Sequence, residues 1–303
     1  MFSTAQVIKE LLLSHFDLSD EAAYQRWRTN KLAAYPLKSN LLLVPINDYT
    51  KLTQAEINTI LHRCRVLNFA IYRLENKSPC NGQVAIKIAK QLGFQVSDRH
   101  LCADQVGLSE ITVSEKKVPG EYIPYTNKFI NWHTDGYYNA ADKQINSMIL
   151  HCGQQAKIGG DNNFFDHEIL YILLRDENPD YIDVLMQNDV MTIPENRQDG
   201  QLLREAQTGP VFRLFPWGLH MRYTARTRSI QWKSDSLVKK AVDRIQEILN
   251  TDSIYKIHHR FAPGEGVVSH NILHMRDAFE DYESRAMQRL IYRIRFYQRL
   301  IVD

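Results

Sequence analysis

From about residue 120 onward the chain consists of short β-prone runs separated by turn-forming residues, and this pattern constrains the fold more than any other feature. Such runs are typical of antiparallel sheets. One long amphipathic helix interrupts them, with Leu237, Val242 and Leu249 on its apolar side. The sequence therefore predicts a mainly β fold with flanking helices, in the form of a double-sheet jelly roll, which often carries a metal at its open mouth. The predicted strands cover residues 147–152, 211–214, 255–261, 266–273 and 290–296.

The N-terminal part of the sequence adds helices to this strand-rich region. Apolar residues at helical spacing occur between residues 7 and 15, and residues 20–27 predict a second short helix. Thr53 and Glu56 form the capping-box pattern that marks the start of a third helix. An apolar strand is expected directly after that helix, at residues 69–72.

A further helix is predicted near residues 84–92, and the chain contains no obvious domain boundary. No Gly/Ser linker, internal repeat or low-complexity block divides the sequence. We therefore expect a helical N-terminal extension over residues 1–40 and a single jelly-roll domain, with inserted helices, over residues 41–303.

Composition limits the kinds of partner that the protein can have. Of 303 residues, 44% are apolar and 24% are charged, which argues against disorder and against a membrane bundle. The net charge is only +2, with Lys and Arg interspersed among Asp and Glu, so nucleic acid is not the expected partner. The N-terminus lacks a signal-peptide pattern, and no apolar run approaches the roughly 18 residues of a spanning helix.

The cysteines indicate the compartment. They stand far apart without a Cys-x-x-Cys pair, which suits a reducing cytoplasm and disfavours a zinc ribbon or a disulfide framework. We therefore expect a cytoplasmic protein. We also expect it to act on a small molecule without a membrane partner, and we leave open whether it forms a homo-oligomer. The four cysteines are Cys64, Cys80, Cys102 and Cys152.

His133 and Asp135 form the feature that points most directly to chemistry. They stand two positions apart, so in an extended segment both side chains point to the same face. His274, far downstream, could supply a third ligand from another strand. Two imidazoles and one carboxylate hold non-haem Fe(II) and leave coordination positions open. A surface histidine beside a turn aspartate gives the same pattern, so the pair by itself leaves both interpretations open.

Three sequence blocks surround these residues in a specific order and spacing. They are residues 132–136 (WHTDG), residues 150–152 with 159–165 (LHC and GGDNNFF), and residues 263–266 with 271–279 (PGEG and NILHMRDAF) leading to Arg285. Together they resemble the taurine dioxygenase-like (TauD/TfdA) family of Fe(II)- and 2-oxoglutarate-dependent oxygenases. The resemblance covers about residues 40 to 300.

This resemblance implies a double-stranded β-helix, a cupin-like jelly roll, with iron bound by His133, Asp135 and His274. It implies a dioxygenase that uses Fe(II), 2-oxoglutarate and O2, releases succinate and CO2, and oxidises a small-molecule substrate. Because Asp135 is present, the coordination position that related halogenases leave for chloride is filled. Hydroxylation is therefore favoured, and desaturation or ring chemistry stays open.

The resemblance also implies that an arginine about eleven positions after the last histidine binds the distal carboxylate of 2-oxoglutarate. That residue is Arg285, and Arg289 is the second choice. Both are separated from Arg293 by an even number of positions, so on one strand all three side chains would point to the same face. A guanidinium suits the role because it binds a carboxylate bidentately and stays charged. Asn162 replaces a threonine that contacts 2-oxoglutarate in the family, and its amide could take over that hydrogen bond. For Arg293 and Arg295 a solvated strand face is the favoured interpretation.

Residues near the ligand pair are candidates for a substrate pocket. Arg276 and Arg289 hint at an anionic or amino-acid-like small molecule. His270 has the same strand parity as His274 and is a minor alternative for the third ligand. The pocket candidates are Trp132, Tyr137, Tyr138, Tyr125, Asn127 and Arg276.

Two other functions could use the same residues. A zinc hydrolase could employ the three ligands, but the sequence lacks a His-Glu-x-x-His helix and an obvious general-base glutamate beside the pair. A non-catalytic jelly-roll binding module would be expected to have lost a ligand or Arg285, and all are present. The oxygenase is the favoured hypothesis.

Overall fold

A computed structural model of the chain describes residues 13–35, 42–76, 80–99, 103–113, 123–198, 200–226 and 230–300. The α-helices are α1 (Glu21–Leu32), α2 (Gln54–Leu67), α3 (Gly82–Gln91), α4 (His167–Glu177), α5 (Pro179–Leu185) and α6 (Ser236–Asn250). Within these ranges, short 3₁₀ helices cover Ser14–Phe16, Ile123–Tyr125 and Arg285–Met287.

The strands follow the same chain order. They are β1 (Leu43–Ile46), β2 (Phe69–Leu74), β3 (Leu108–Ile111), β4 (Ile130–His133), β5 (Ser147–Gln154), β6 (Ile158–Gly159), β7 (Asn162–Phe165), β8 (Met191–Ile193), β9 (Asn196–Gln198), β10 (Gln201–Arg204), β11 (Gln207–Gly209), β12 (Phe212–Phe215), β13 (Gly218–Met221), β14 (Gln231–Trp232), β15 (Lys256–His259), β16 (Glu265–Ser269), β17 (Leu273–Arg276), β18 (Phe279–Glu280) and β19 (Leu290–Phe296).

Two sheets build the core. The larger has six strands in the order β1-β2-β16-β5-β19-β3, of which only the β1–β2 pair is parallel. The smaller has four antiparallel strands in the order β15-β7-β17-β4. Phe69 of the first sheet stacks on Phe164 of the second, with ring centroids 5.8 Å apart, so the two sheets face each other.

Alternation along the strands of the six-stranded sheet separates two hydrophobic clusters. Phe69 and Ile71 of β2 point into the space between the sheets, whereas Ala70 and Tyr72 point to the opposite face. Helices α2 and α3 cover that opposite face, and Ile60 is fully buried there. Helices α4, α5 and α6 pack in the other cluster, which also contains the aromatic residues of β7.

Local sequence signals account for several helix boundaries. The side chain of Thr53 accepts a hydrogen bond from the Glu56 amide, and the Glu56 carboxylate accepts one from the Thr53 amide, so the predicted capping box begins α2. Asn68 ends that helix with a positive φ of 63° and turns the chain into β2. Asp20 caps α1 by accepting a hydrogen bond from Ala23.

The fold contains more helix than the sequence predicted. Helices α4 and α5 were not anticipated, although Asp166 and Asn178 cap them through their side chains. The fold is therefore mixed helix and sheet rather than mainly β. The expected strand at 266–273 is two strands, β16 and β17, because Asn271 between them has a positive φ of 54°.

The other predicted helices and strands that fall within the described ranges form within a few residues of the expected boundaries. Helices α1, α3 and α6 and strands β2, β5, β12, β15 and β19 all form. Of the predicted N-terminal extension, residues 1–12 and 36–40 lie outside the described residues, as does most of the first predicted helix. None of the helices in the described ranges is both long and apolar enough to cross a membrane.

Candidate metal centre

The three predicted ligands lie together between the two sheets. His133 ends β4, Asp135 stands two residues later in the following turn, and His274 lies on β17, directly opposite His133. Their ligand atoms all fall within 4.8 Å of one another. Nε2 of His133 is 3.8 Å from Oδ1 of Asp135, and the two imidazole centroids are 4.3 Å apart.

Backbone carbonyls orient both imidazoles. Nδ1 of His133 lies 2.8 Å from the carbonyl oxygen of Asn131, and Nδ1 of His274 lies 2.9 Å from that of Ile272. A carbonyl only accepts hydrogen bonds, so each Nδ1 carries the proton and each Nε2 keeps its lone pair. This is the tautomer that a metal-binding histidine needs when Nε2 is the ligand atom.

The charges of the three groups also suit a metal ion. Burial lowers the pKa of His133 to about 3 and also lowers the pKa of His274, so both rings are neutral at pH 7. Burial would raise the pKa of Asp135, but Arg293 and Arg295 outweigh it and hold that pKa well below its usual range. Oδ2 of Asp135 is buried and accepts no hydrogen bond from the residues described. Two neutral imidazoles and one charged carboxylate fit a divalent cation.

The loop around Asp135 is held by a residue that the sequence did not single out. The Asn271 side chain accepts a hydrogen bond from the Asp135 amide (2.7 Å) and donates to the Asp135 carbonyl (2.9 Å). It also donates to the carbonyl of Ile145 (2.7 Å). Gly136 makes the turn possible, because its φ is +66° and a Cβ there would come within 2.4 Å of Ile145.

Two arginines of β19 point toward the centre rather than into solvent. Arg293 and Arg295 are only 7% and 2% exposed, which corrects the expectation of a solvated strand face. Nη1 of Arg293 lies 3.2 Å from Oδ2 of Asp135. Arg295 donates to the hydroxyl of Tyr138 (3.0 Å) and forms an ion pair with Asp98. Both side chains therefore balance the buried negative charge of this region.

A cleft of about 210 Å³ contains the second-choice arginine, Arg289, together with Asn162. Asn162 lies on β7 two residues before Phe164, which pairs with His274, so the side chains of Asn162 and His274 share one face of the sheet. The side chain of Arg289 is 6% exposed, lies over the ring of Phe279 at 5.1 Å, and makes no hydrogen bond or ion pair within the described ranges.

The Gly159–Gly160 block gives this arginine room. Gly160 has a φ of +75°, and a Cβ there would lie 3.3 Å from Nε of Arg289. Burial lowers the pKa of Arg289 to about 10, so it stays charged at pH 7. A buried guanidinium beside an amide is suited to bind a carboxylate.

Arg285, the first-choice anchor, lies elsewhere. It is exposed on the short helix Arg285–Met287 and precedes β19, which begins at Leu290. The parity argument that joined Arg285 to Arg289 therefore does not apply, because Arg285 is not on the strand. It is absent from the residues that line the Asn162–Arg289 cleft.

Two of the pocket candidates have other roles in the fold. Trp132 is 2% exposed and packs edge-on against Phe165 in the hydrophobic core, because it points to the opposite side of β4 from His133. Arg276 donates hydrogen bonds to the carbonyl groups of Pro124, Thr126 and Lys128, so it holds the segment before β4 in place.

The remaining candidates are half-buried or exposed. Tyr137 and Tyr138 are half-buried in the turn after Asp135, with ring centroids 5.2 Å apart. Tyr125 is half-buried in the segment that Arg276 holds, and Asn127 is exposed.

His270 is not part of the ligand cluster. Its Nδ1 lies 3.0 Å from Oδ1 of Asn68, and the turn at Asn271 separates it from β17. The same-parity argument fails because the strand is interrupted there. Of the predicted ligands, the set His133, Asp135 and His274 is the one that the fold brings together.

Comparison with known proteins shows the family of the chain. The model of the "Taurine catabolism dioxygenase TauD, TfdA family" matches residues 36–291. A uridine-5'-phosphate dioxygenase of Amycolatopsis sp is 29% identical over 160 residues, which are 50% of this chain and 55% of the relative. The chain thus matches about half the length of that curated relative.

Solved structures resemble the whole fold at low sequence identity. An asparagine oxygenase bound to Fe(II), 3-hydroxyasparagine and succinate has a TM-score of 0.58 at 13% identity, over 98% of this chain and 92% of the other. The oxygenase OrfP with Fe, succinate and (3S)-hydroxy-L-Arg has a TM-score of 0.60 at 11% identity, over 82% of each chain. A putative α-ketoglutarate-dependent taurine dioxygenase from Burkholderia xenovorans gives 0.56 at 16%, over 82% and 83%. These likenesses concern the fold.

Proposed function

The chain belongs to the taurine catabolism dioxygenase TauD, TfdA family, and we propose that it is an Fe(II)- and 2-oxoglutarate-dependent dioxygenase that hydroxylates a small molecule. The main support is the cluster of His133, Asp135 and His274, whose ligand atoms converge within 4.8 Å in the protonation state that a metal requires. Bound Fe(II) would activate O2 at the expense of 2-oxoglutarate, which leaves as succinate and CO2. The two facing sheets would form the double-stranded β-helix of such enzymes.

Arg289, assisted by Asn162, is the proposed anchor for the distal carboxylate of 2-oxoglutarate. Burying a guanidinium without an anionic partner raises the free energy of the folded protein, and a bound carboxylate would remove that cost. Asn162 lies beside Arg289 in the cleft and on the same sheet face as His274. This proposal replaces Arg285 by Arg289, because Arg285 is exposed outside the strand.

The substrate is proposed to be a small polar molecule that carries a charged group. Tyr137 and Tyr138 follow the metal ligand Asp135 directly, and Arg293 faces the same region with its Nε unpaired among the described residues. The curated relative acts on uridine 5'-phosphate, and two of the similar structures hold hydroxylated amino acids. The chain's own residues would orient such a substrate and exclude water.

The test is the anaerobic addition of Fe(II) and 2-oxoglutarate to the metal-free protein. We expect a weak visible metal-to-ligand charge-transfer band that is lost in Asp135→Ala and His274→Ala. His62→Ala is the matched control, because His62 is an exposed histidine of α2 and should leave the band unchanged. A folded wild-type protein that gives no band at saturating iron would exclude the proposal.

The substrate class can then be searched by succinate release. A panel of small acids, amino acids, amines and phosphate esters should contain a compound that raises succinate formation above the substrate-free rate. Mass spectrometry of the same mixture would show whether the compound gains one oxygen, as hydroxylation requires.

A further inference from the structure

A second cavity, of about 320 Å³, lies in a part of the molecule that the proposed reaction does not use. Its walls come from the loop that follows Asp135, from β11, and from the β12–β13 hairpin. It shares no lining residue with the three metal ligands or with the Asn162–Arg289 cleft.

Among the residues that the structure describes, the cavity is lined by two cationic side chains and by no acidic one. Arg213 and Arg222 both line it, together with neutral residues such as Asn139, Gln144 and Gln207. Arg213 has a ring contact with Phe215 but no ion pair in the described part of the chain.

Arg222 is built into the wall of this cavity. It is 6% exposed, and its Nη2 donates to the carbonyl groups of Met191 (2.8 Å) and Gln207 (3.2 Å). Its Nε is buried and has no hydrogen-bond partner among the residues described. Gly209 leaves space for this guanidinium, since a Cβ at that position would lie 2.9 Å from Nη1.

The electrostatics of the pair are unfavourable without a ligand. Burial and the nearby charge of Arg213 together lower the pKa of Arg222 to about 10, so the two cations repel. His220, across the hairpin from Arg213, is neutral because burial lowers its pKa to about 3. A buried cation that faces another cation is stabilised by an anion between them.

We propose that this cavity binds the oxyanion group, phosphate or carboxylate, of a small molecule between Arg213 and Arg222. Guanidinium groups bind both oxyanions through paired N–H donors. Nε of Arg222 supplies one unused donor. The neutral amides of Asn139, Gln144 and Gln207 line the remainder of the wall and suit an uncharged polar part of the ligand.

The test uses the full-length, metal-free protein, with inorganic phosphate and acetate as separate probes. Arginine Nε–H signals are followed by ¹⁵N NMR, and the affinity is measured by calorimetry. We expect a saturable shift of the Arg222 signal with at least one probe, and the stronger probe identifies the preferred oxyanion. Arg213→Gln should weaken binding by about tenfold or more, because it removes one of the two cations.

Two controls keep the result interpretable. Arg197→Gln removes an exposed arginine that pairs with Glu195 in the neighbouring hairpin, and it should leave binding unchanged. Arg289→Gln tests the other oxyanion cleft and should also leave the Arg222 shift intact. Absence of a saturable shift with both probes would overturn the inference. The inference would also be overturned if phosphate or acetate still bound to a folded Arg213→Gln variant but no longer bound to the Arg289→Gln variant.

Discussion

At the scale of single residues, the proposed metal centre consists of groups whose protonation is set before a metal binds. Carbonyl oxygens of Asn131 and Ile272 fix the proton on Nδ1 of each histidine, and burial keeps both rings neutral. Arg293 keeps the Asp135 carboxylate charged although it is buried. The presence of these residue types in the sequence would not by itself fix these protonation states. The histidine and aspartate of an exposed His-x-Asp pair lack such hydrogen bonds and such burial.

Arg289→Gln is expected to weaken 2-oxoglutarate binding by about 30-fold or more, because removing one partner of a buried charged pair costs roughly 2–5 kcal/mol. Arg285→Gln is the matched control: the same substitution at an exposed position nearby should change the affinity by less than about twofold. Both values can be measured by titrating 2-oxoglutarate into the Fe(II)-loaded protein and following the charge-transfer band. A larger loss in Arg285→Gln than in Arg289→Gln would restore Arg285 as the anchor.

At the scale of elements, the turn between β16 and β17 joins the six-stranded sheet to the strand of the four-stranded sheet that carries His274. Asn271 adopts a left-handed conformation there, and its amide makes three hydrogen bonds to the loop that carries Asp135. The turn therefore sets both where β17 presents His274 and where Asp135 stands. A residue that holds a ligand in this way acts as a positioning residue.

Asn271→Gly is expected to lower metal affinity by about 10–100-fold, the range typical for loss of a group that orients a ligand. Glycine tolerates the positive φ, so the substitution removes the amide without straining the backbone. Metal affinity can be measured by equilibrium dialysis with Fe(II) under anaerobic conditions, alongside circular dichroism. If Asn271→Gly bound metal as well as wild type while Asn271→Ala did not, the backbone conformation would be the residue's whole contribution.

At the scale of the whole molecule, a buried ionic network joins the N-terminal helix to the core. Nζ of Lys31, at the end of α1, lies 2.6 Å from both Asp166 and Glu168 and donates to the carbonyl of Val66. Asn68, at the end of α2, donates to the same Asp166, which caps α4. Burial would lower the pKa of Lys31, but the two carboxylates raise it above its usual value. The ammonium therefore stays charged and ties three helices together.

Lys31→Gln is expected to reduce the free energy of unfolding by about 3–5 kcal/mol, because it leaves two buried carboxylates without their cation. Lys240→Gln, on the exposed side of α6, should change it by no more than about 0.5 kcal/mol. Urea denaturation gives both values from the midpoint and slope. A loss below about 1 kcal/mol for Lys31→Gln would show that the network is not a main source of stability.

The sequence by itself determined the features that depend on residues close to one another along the chain. The capping box of Thr53 and Glu56 began α2, and apolar spacing located α6. The blocks around His133 and His274 identified the family, which the family match confirms. Such signals are readable because hydrogen bonds of helix ends and side-chain periodicity act over a few residues.

Only the tertiary structure decided which charged residues face the centre. Arg285 and Arg289 are equivalent by parity and both precede β19, which begins at Leu290, yet Arg285 is exposed on a short helix and Arg289 is buried beside Asn162. Asn271 and Asp135 are 136 positions apart, and no local pattern joins them. Strand register and packing bring distant residues together, and these depend on the whole folded chain rather than on any segment of it.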